Sequence, residues 1–302
     1  MDQTTRHSLK EDRLHGDNTF PMAVYWMEPG EAGAPVLDCH WHAEAEFFYV
    51  LEGEVLFQVD TDYFPVKTGE AVFIDGGDIH AGHALGDSAC SFCAIVFDTH
   101  LLASASYDAV QERVISPLQD KKRTFPRHIK PDSDWERKLL SHLRGIMDAC
   151  GQQLPGYEAA VKGRFYLMLH EISVDGRSCN RSETNATDTT KIDRLKTAIV
   201  YMQQHYHRPV RISEIADQIP MSEGQFCRFF KKMTRQTPIE YLNAYRIRQA
   251  AELLLHSDRT ISAVALDVGF DHMSYFVKVF RKTMKCTPSH FRKKQAEFAE
   301  RR

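Results

Sequence analysis

Four side chains early in this 302-residue chain have the types and the spacing for metal chemistry. His40-Trp41-His42-Ala43-Glu44-Ala45-Glu46 puts two imidazoles and a carboxylate at positions of equal parity. On one continuous strand, His40, His42 and Glu46 would share a face. His80 is a fourth candidate, at the end of a glycine-punctuated stretch from Gly69 to Ile79. Imidazoles with a carboxylate suit a divalent transition ion, and Fe, Mn, Ni and Zn all accept such donors. The same residues could instead line a polar pocket for a small organic effector. Phe48, of the same parity as Glu46, would then form its apolar wall, while Trp41, of opposite parity, belongs to outer packing.

A second chemistry lies near the C-terminus. Phe229-Phe230-Lys231-Lys232-Met233-Thr234-Arg235-Gln236-Thr237-Pro238 is echoed fifty positions on by Val279-Phe280-Arg281-Lys282-Thr283-Met284-Lys285-Cys286-Thr287-Pro288. Upstream, Ile212, Ile215, Ala216 and Phe226 match Ile261, Val264, Ala265 and Phe276. A repeat of this kind is one structural unit built twice. Each copy reads as a short helix, a tight turn and a second helix rich in base, over about residues 211–233 and 260–284. The charge agrees: from Lys191 onward there are 21 basic against 11 acidic side chains, whereas the first 190 residues carry 17 against 30. A basic third on an acidic chain is the footprint of a module that binds a polyanion.

In the first copy, Ile212–Ile219 is the supporting helix and Ser222 the N-cap of a helix from Glu223 to Met233. Phe226, Phe229 and Phe230 face the core. Ser222, Glu223, Gly224, Gln225, Cys227, Arg228, Lys231 and Lys232 are left for DNA. In the second copy, Ile261–Val268 supports, Gly269 turns and Asp271 caps a helix to Met284. Asp271, His272, Met273, Ser274, Tyr275, Lys278, Arg281 and Lys282 then form the outer edge. A helix in the major groove reads bases from its N-terminal half while flanking cations hold phosphates. Arg228 is best placed for a bidentate guanine contact. Between the copies, Pro238–Ser257 forms one helix of ~30 Å, close to the ~34 Å between successive major grooves on one side of B-DNA.

The elements that must position these residues differ between the halves. From Asp17 to Asp98, short apolar runs such as Val55–Val59, Ala71–Ile74 and Phe92–Phe97 alternate with glycine turns, as in a small barrel or sandwich. From Ser133 the period becomes helical. Trp135, Leu139, Leu140, Leu143, Ile146 and Met147 make one amphipathic helix, and Val161, Phe165, Met168, Leu169 and Ile172 a second. These close the barrel or form a dimer surface. Residues 176–190 are polar and turn-rich, a flexible linker. The domains are therefore 17–175, a linker at 176–190, and 191–298. The seven scattered cysteines suit a reducing cytoplasm, with Cys90 and Cys93 on opposite faces of a strand. The chain has no run of eighteen apolar residues and no signal-like N-terminus, so neither a membrane span nor secretion is expected.

Residues 191–298 resemble the DNA-binding domain of the AraC/XylS family of bacterial transcription regulators. The resemblance is carried above all by Gly269-Phe270-Asp271-His272-Met273-Ser274-Tyr275-Phe276-Val277-Lys278-Val279-Phe280-Arg281-Lys282 and Thr287-Pro288-Ser289-His290-Phe291-Arg292. Arg235 and Lys285 stand where that family has glycine before each Thr-Pro, and Pro220 replaces the glycine of the first turn. If either cation takes a positive φ, it costs ~1 kcal/mol relative to glycine. The spacing Gly33 … His40-x-His42 … Glu46 … Gly53, then Gly69 … Gly77 … His80, is similar to the two cupin motifs, with Asp75 in place of the usual proline. That resemblance implies His40, His42, Glu46 and His80 as metal ligands, or as the lining of an effector pocket.

The expected fold is α+β: a cupin-like β-barrel with a helical extension, a flexible linker and an all-α domain with two helix-turn-helix units. The expected function is a sequence-specific regulator that binds an operator or promoter in double-stranded DNA and responds to a small-molecule effector. A homodimer and contact with RNA polymerase go with that reading. The other reading is a metal-dependent cupin enzyme carrying a DNA-binding tail. The linker, the duplicated unit and the lack of a further catalytic constellation favour a regulator that is not an enzyme.

Overall fold

The computed structural model describes residues 15–28, 36–85, 90–174 and 186–299. The chain divides into two compact units, one ending at Asp188 and the other beginning at Thr189.

Among the described residues, the first unit holds nine strands: β1 (Met22–Met27), β2 (Leu37–His40), β3 (Ala45–Glu52), β4 (Glu54–Val59), β5 (Asp62–Lys67), β6 (Ala71–Ile74), β7 (His80–Ala84), β8 (Ser91–Phe97) and β9 (His128–Ile129). They form two antiparallel sheets, ordered β1-β8-β3-β6-β9 and β2-β7-β4-β5. The five-stranded sheet is buried on both faces, and residue parity separates them. Phe47 and Tyr49 of β3, Ala71 and Phe73 of β6, and Cys93, Ile95 and Phe97 of β8 form one core with the helices. Phe48, Val50, Val72, Ile74, Phe92 and Ala94 point the other way, to meet Val55, Phe57, Val59 and Val66 of the four-stranded sheet. This explains why the strands of the larger sheet are continuously apolar whereas β5 alternates. Cys90 and Cys93 lie in opposite cores, and the described cysteines are free thiols.

After the short helix α1 (Ser116–Gln119), α2 (Asp134–Gln152) and α3 (Tyr157–Val174) cover the outer face of the larger sheet. The α2 helix starts at a reciprocal cap: Glu136 N donates to Ser133 Oγ, and Ser133 N donates to the Glu136 carboxylate. Leu139, Leu140, Leu143 and Ile146 of α2 and Val161, Phe165 and Met168 of α3 are fully buried there. Each such side chain contributes roughly 1.5–3 kcal/mol.

The second unit is helical: α4 (Ala186–His205), α5 (Ile212–Ala216), α6 (Glu223–Thr234), α7 (Pro238–His256), α8 (Ile261–Asp267), α9 (Met273–Met284) and α10 (Pro288–Ala299). Because α4 already begins at Ala186, the last five residues of the segment read as linker are helical. The earlier part of that segment, like Gly33, lies outside the described residues. The α7 helix is the strut between the copies. Thr237 caps it, with Glu240 in return, and Pro238 sits at its first position, where a missing N–H costs nothing. Phe226 and Phe230 pack beside Tyr241 of the strut, while Phe229 is only half-buried. Phe276 and Phe280 pack with Phe270 and Phe291.

One expectation about the second copy is corrected. Asp271 does not cap α9; the cap position is His272, with no side-chain hydrogen bond to the helix. The supporting helices are offset by 49 residues (Ile212, Ile261) but the following helices by 50 (Phe226, Phe276), so the second turn has one residue more. The counterpart of Ser222 is therefore His272. The extra turn residue passes through Gly269, at φ 83°. A Cβ there would lie 2.3 Å from the Tyr206 carbonyl oxygen and 2.9 Å from Arg246 Nη2. Only glycine fits.

Candidate functional site

His40, His42, Glu46 and His80 meet in the first unit. One ligand atom from each lies within 4.8 Å of the others. The route by which they meet is not the single strand read from parity. His40 ends β2 in the smaller sheet, Glu46 lies on β3 in the larger one, and His42 sits in the crossing between them. His80 opens β7 and is the direct cross-strand partner of His40, their rings 4.1 Å apart. The crossing is held by Gly77 N, which donates to the His42 carbonyl at 2.7 Å. Gly76 lets the turn approach, since a Cβ there would lie 2.1 Å from the Ala43 carbonyl oxygen.

The hydrogen bonds fix which nitrogen each imidazole turns inward. Nδ1 of His40 meets the Asp38 carbonyl at 2.8 Å, Nδ1 of His42 the Glu44 carbonyl at 3.0 Å, and Nδ1 of His80 the Asp78 carbonyl at 3.0 Å. A carbonyl oxygen only accepts, so each Nδ1 carries the proton. In the neutral ring this leaves a lone pair on Nε2. His42 Nε2 stands 3.0 Å and His80 Nε2 3.4 Å from Glu46 Oε2, while Glu46 Oε1 is buried with no hydrogen-bond partner. Burial, then the charge of His80, pushes the His40 imidazole well below its ordinary range, which keeps it neutral. Burial alone would raise the Glu46 carboxyl, but the imidazoles of His42 and His80 hold it well below the usual carboxylate range. Without an ion, the imidazoles hold Glu46 ionised by donating from Nε2, as His42 does at 3.0 Å. With Nδ1 anchored on carbonyls, loss of the Nε2 protons would turn nitrogen lone pairs toward the carboxylate, a donor set that fits a transition-metal ion, and backbone-anchored Nδ1 groups are the usual outer support of such sites. Neighbouring Cys39 lies outside this set of four, and burial and then the charge of Asp38 push its thiol up to about 12.

Phe48 shares the inner face of β3 with Glu46, as its parity implies. It is fully buried between the sheets, its ring 4.5 Å from Phe57 and 4.4 Å from Phe92. Trp41 is buried. His15 is a residue that motif reading missed: it lies ahead of β1, is buried, and its ring is 5.4 Å from that of His42.

In the second unit, Gly224, Arg228, Lys231 and Lys232 are exposed along one face of α6. At an offset of 50, Ser274, Lys278, Arg281 and Lys282 are exposed along the same face of α9. Glu223, His272, Met273 and Asp271 are exposed near the helix starts, and Cys227 is half-buried. Ser222 and Gln225 are exposed but occupied with each other: Ser222 N and Oγ each lie 3.0 Å from Gln225 Oε1, closing the α6 cap. Tyr275 is 47 % exposed, yet its hydroxyl accepts from Nδ2 of Asn243, buried on the strut, at 2.9 Å. Its ring is thus fixed and its polar atom engaged from within. Arg246 holds the strut to the end of α4, donating to the carbonyls of Tyr206 at 2.8 Å and Arg208 at 2.6 Å, with its guanidinium over Phe270.

Comparison with known proteins bears on both units. A family model described as a cupin domain matches residues 23–96, and one described as a helix-turn-helix domain matches residues 215–294. The chain is 26% identical over 286 residues to the uncharacterized HTH-type transcriptional regulator YdeC of Bacillus subtilis (strain 168), covering 95% of this chain and 96% of that one. It is 34% identical over 214 residues to the regulatory protein PocR of Salmonella typhimurium, covering 70% of this chain and 65% of that one. Among solved structures, ToxT from Vibrio cholerae O395 aligns with a TM-score of 0.41 at 13% identity, over 91% of this chain and 98% of that one. A duplicated basic helix-turn-helix behind a cupin domain, in a chain similar along its length to a transcription regulator, places this protein in the AraC/XylS family of DNA-binding transcription regulators.

Proposed function

We propose that this regulator reads an operator in double-stranded DNA with α6 and α9, and that its cupin unit senses a small molecule through a divalent transition metal held by His40, His42, Glu46 and His80. The observation that carries the sensor half is the shared orientation of the three imidazoles, each anchored at Nδ1 with Nε2 turned toward the Glu46 carboxylate. Fe, Mn, Ni and Zn all fit this donor set. When bound, such an ion is a Lewis acid that can anchor an anionic oxygen of the effector. The backbone carbonyls fix the tautomers of the three imidazoles, and apolar side chains around Phe48 pack between the sheets.

On this reading the protein is a cytoplasmic regulator rather than an enzyme. Among the described residues, no helix is long and apolar enough to cross a membrane. Pairing of two chains belongs to the same proposal, through the α2–α3 side where Leu154, Leu167 and Val174 are exposed. So does contact with RNA polymerase at the promoter. The test has two arms. Genome-wide mapping of bound sites should give discrete promoters, bound far more tightly than random duplex and less tightly as salt rises. The purified chain should carry near-stoichiometric metal, lost in His40→Ala. Uniform binding to any duplex would remove the operator half; turnover of a substrate that depends on His40 would favour the enzyme reading.

A further inference from the structure

We propose that Arg127 and Lys121 are positioning residues of the metal site, each acting on one of its histidines through the turn between β6 and β7. This rests on the metal reading above and names the part of the chain that sets the site's geometry from outside it. Neither cation belongs to a histidine motif. Both come from one segment, residues 121–127, which leads from α1 to β9.

The turn, residues 75–79, supports two of the four ligand residues. Gly77 N donates to the His42 carbonyl at 2.7 Å, and the Asp78 carbonyl accepts from His80 Nδ1 at 3.0 Å. A shift of this turn would therefore displace one imidazole and rotate the other. Within it, Gly76 N donates to Asp75 Oδ1 and Asp78 N to the Asp75 carbonyl, each at 2.9 Å, which closes the turn on itself.

The segment 121–127 lies over this turn as a strap and grips it at two points. Lys121 Nζ donates to the Gly76 carbonyl and stands 3.7 Å from Asp75 Oδ1. Arg127 Nη2 donates to Asp78 Oδ2 at 3.2 Å, and the Asp78 side chain is only 4% exposed. A buried carboxylate is costly to strip of an ion partner, so this pair pins the residue whose carbonyl orients His80. The strap is itself fixed from the other side. Phe73 N on β6 donates to the Arg127 carbonyl at 2.9 Å. Phe125 is buried with its ring 5.0 Å from both Phe47 and Phe73, in the core that also holds Leu139 of α2 and Phe165 of α3. One segment thus sets its aromatic among the helices and its cations on the metal turn. Ligand orientation is referred through it to the helical layer.

The test uses the full chain, freed of metal, with Zn(II) and Co(II) salts alone as ligands. Arg127→Ala should lower affinity for both ions by roughly ten- to a hundred-fold, the usual effect of losing an outer support. The visible bands of bound Co(II) should change with it, because His80 meets the ion at another angle. Arg127→Lys, which keeps the charge, should recover part of both. Lys121→Ala should give a smaller loss, since that side chain is already 40% exposed. Arg123→Ala, a cation on the same strap outside these contacts, should match the parent. Hydrogen exchange supplies a second readout. Metal should slow exchange of the strap amides in the parent and far less in Arg127→Ala, because coupling between two sites is reciprocal. Circular dichroism identifies any variant that does not fold; Arg127→Lys, Lys121→Ala and exchange in the parent then carry the test. Parent-like affinity and Co(II) spectra in folded Arg127→Ala and Lys121→Ala would overturn the proposal while leaving the four-residue site standing. An equal loss in Arg123→Ala would do the same, by reducing the effect to general charge. A parent chain that takes up neither ion removes the metal reading and this proposal together.

Discussion

Arg235 and Lys285 show how a single residue can depart from a family pattern and still be accommodated. Each follows the second helix of its copy, α6 or α9, at φ 57°, the left-handed conformation in which glycine carries no penalty. Both side chains are exposed, so nothing in the core requires a cation there. Lys285→Gly should therefore stabilise the second unit by roughly 0.5–1 kcal/mol, read as a later denaturant midpoint with unchanged slope. A lower midpoint would show that the lysine makes a contact worth more than the strain. On the face proposed to meet DNA, Arg228 and Lys278 occupy equivalent positions in the two copies. Replacing either with alanine should weaken operator binding, by ~1–3 kcal/mol if the side chain pairs with a base. If it holds a phosphate instead, the loss should be similar on every sequence and the salt dependence should flatten by about one ion. Unchanged affinity in both variants would remove the docking scheme.

At the scale of elements, the second helix-turn-helix depends on a close packing of backbones that the first does not share. The turn at Gly269, Tyr206 just past the end of α4, and the strut residue Arg246 occupy one tight space. Gly269→Ala should therefore cost the second unit more than ~1 kcal/mol, from the positive φ and from the displaced Tyr206 carbonyl. The same substitution at Gly224, where a Cβ would meet only Arg228 Nη1 at 3.7 Å, should be tolerated. Comparing the melting of the two variants checks this; equal melting temperatures would mean that the turn can relax. In the first unit the corresponding element is the crossing from β2 to β3. It takes His42 out of both strands and returns the chain in the other sheet at Glu46. A strand running straight through these residues could not have brought His80 opposite His40 and kept Glu46 beside both.

For the whole molecule, the two units are joined by thermodynamics whatever the path of communication. An ion or effector can alter operator affinity only if it binds one arrangement of the chain more strongly than another. Couplings of this kind are typically ~1–3 kcal/mol, or about 5–150-fold in affinity. Stripping metal with a chelator should thus change operator affinity within that range in the parent chain and do nothing further to the His40→Ala chain. A chelator effect of equal size in both would place the responsive ion elsewhere.

The amino-acid order alone determined the duplicated helix-turn-helix and the exposed basic face of its second helices, because periodicity and local capping are carried by neighbours in sequence. The four residues of the cluster were legible through their resemblance to the cupin spacing, not through strand parity. The cation run at Lys231 and Arg281, the Ser222 cap and the apolar β-strands needed no distant contact to be read. Tertiary structure decided the rest. It set the β2-to-β3 crossing, the pairing of His40 with His80, the packing of Phe48 as core, the tethering of Tyr275 by Asn243 and the arrival of His15 beside His42. It also moved the α9 cap from Asp271 to His272, since one added turn residue shifts register only once the two copies are overlaid. These features join residues far apart in the chain, and no local propensity records which of the possible long-range contacts will form.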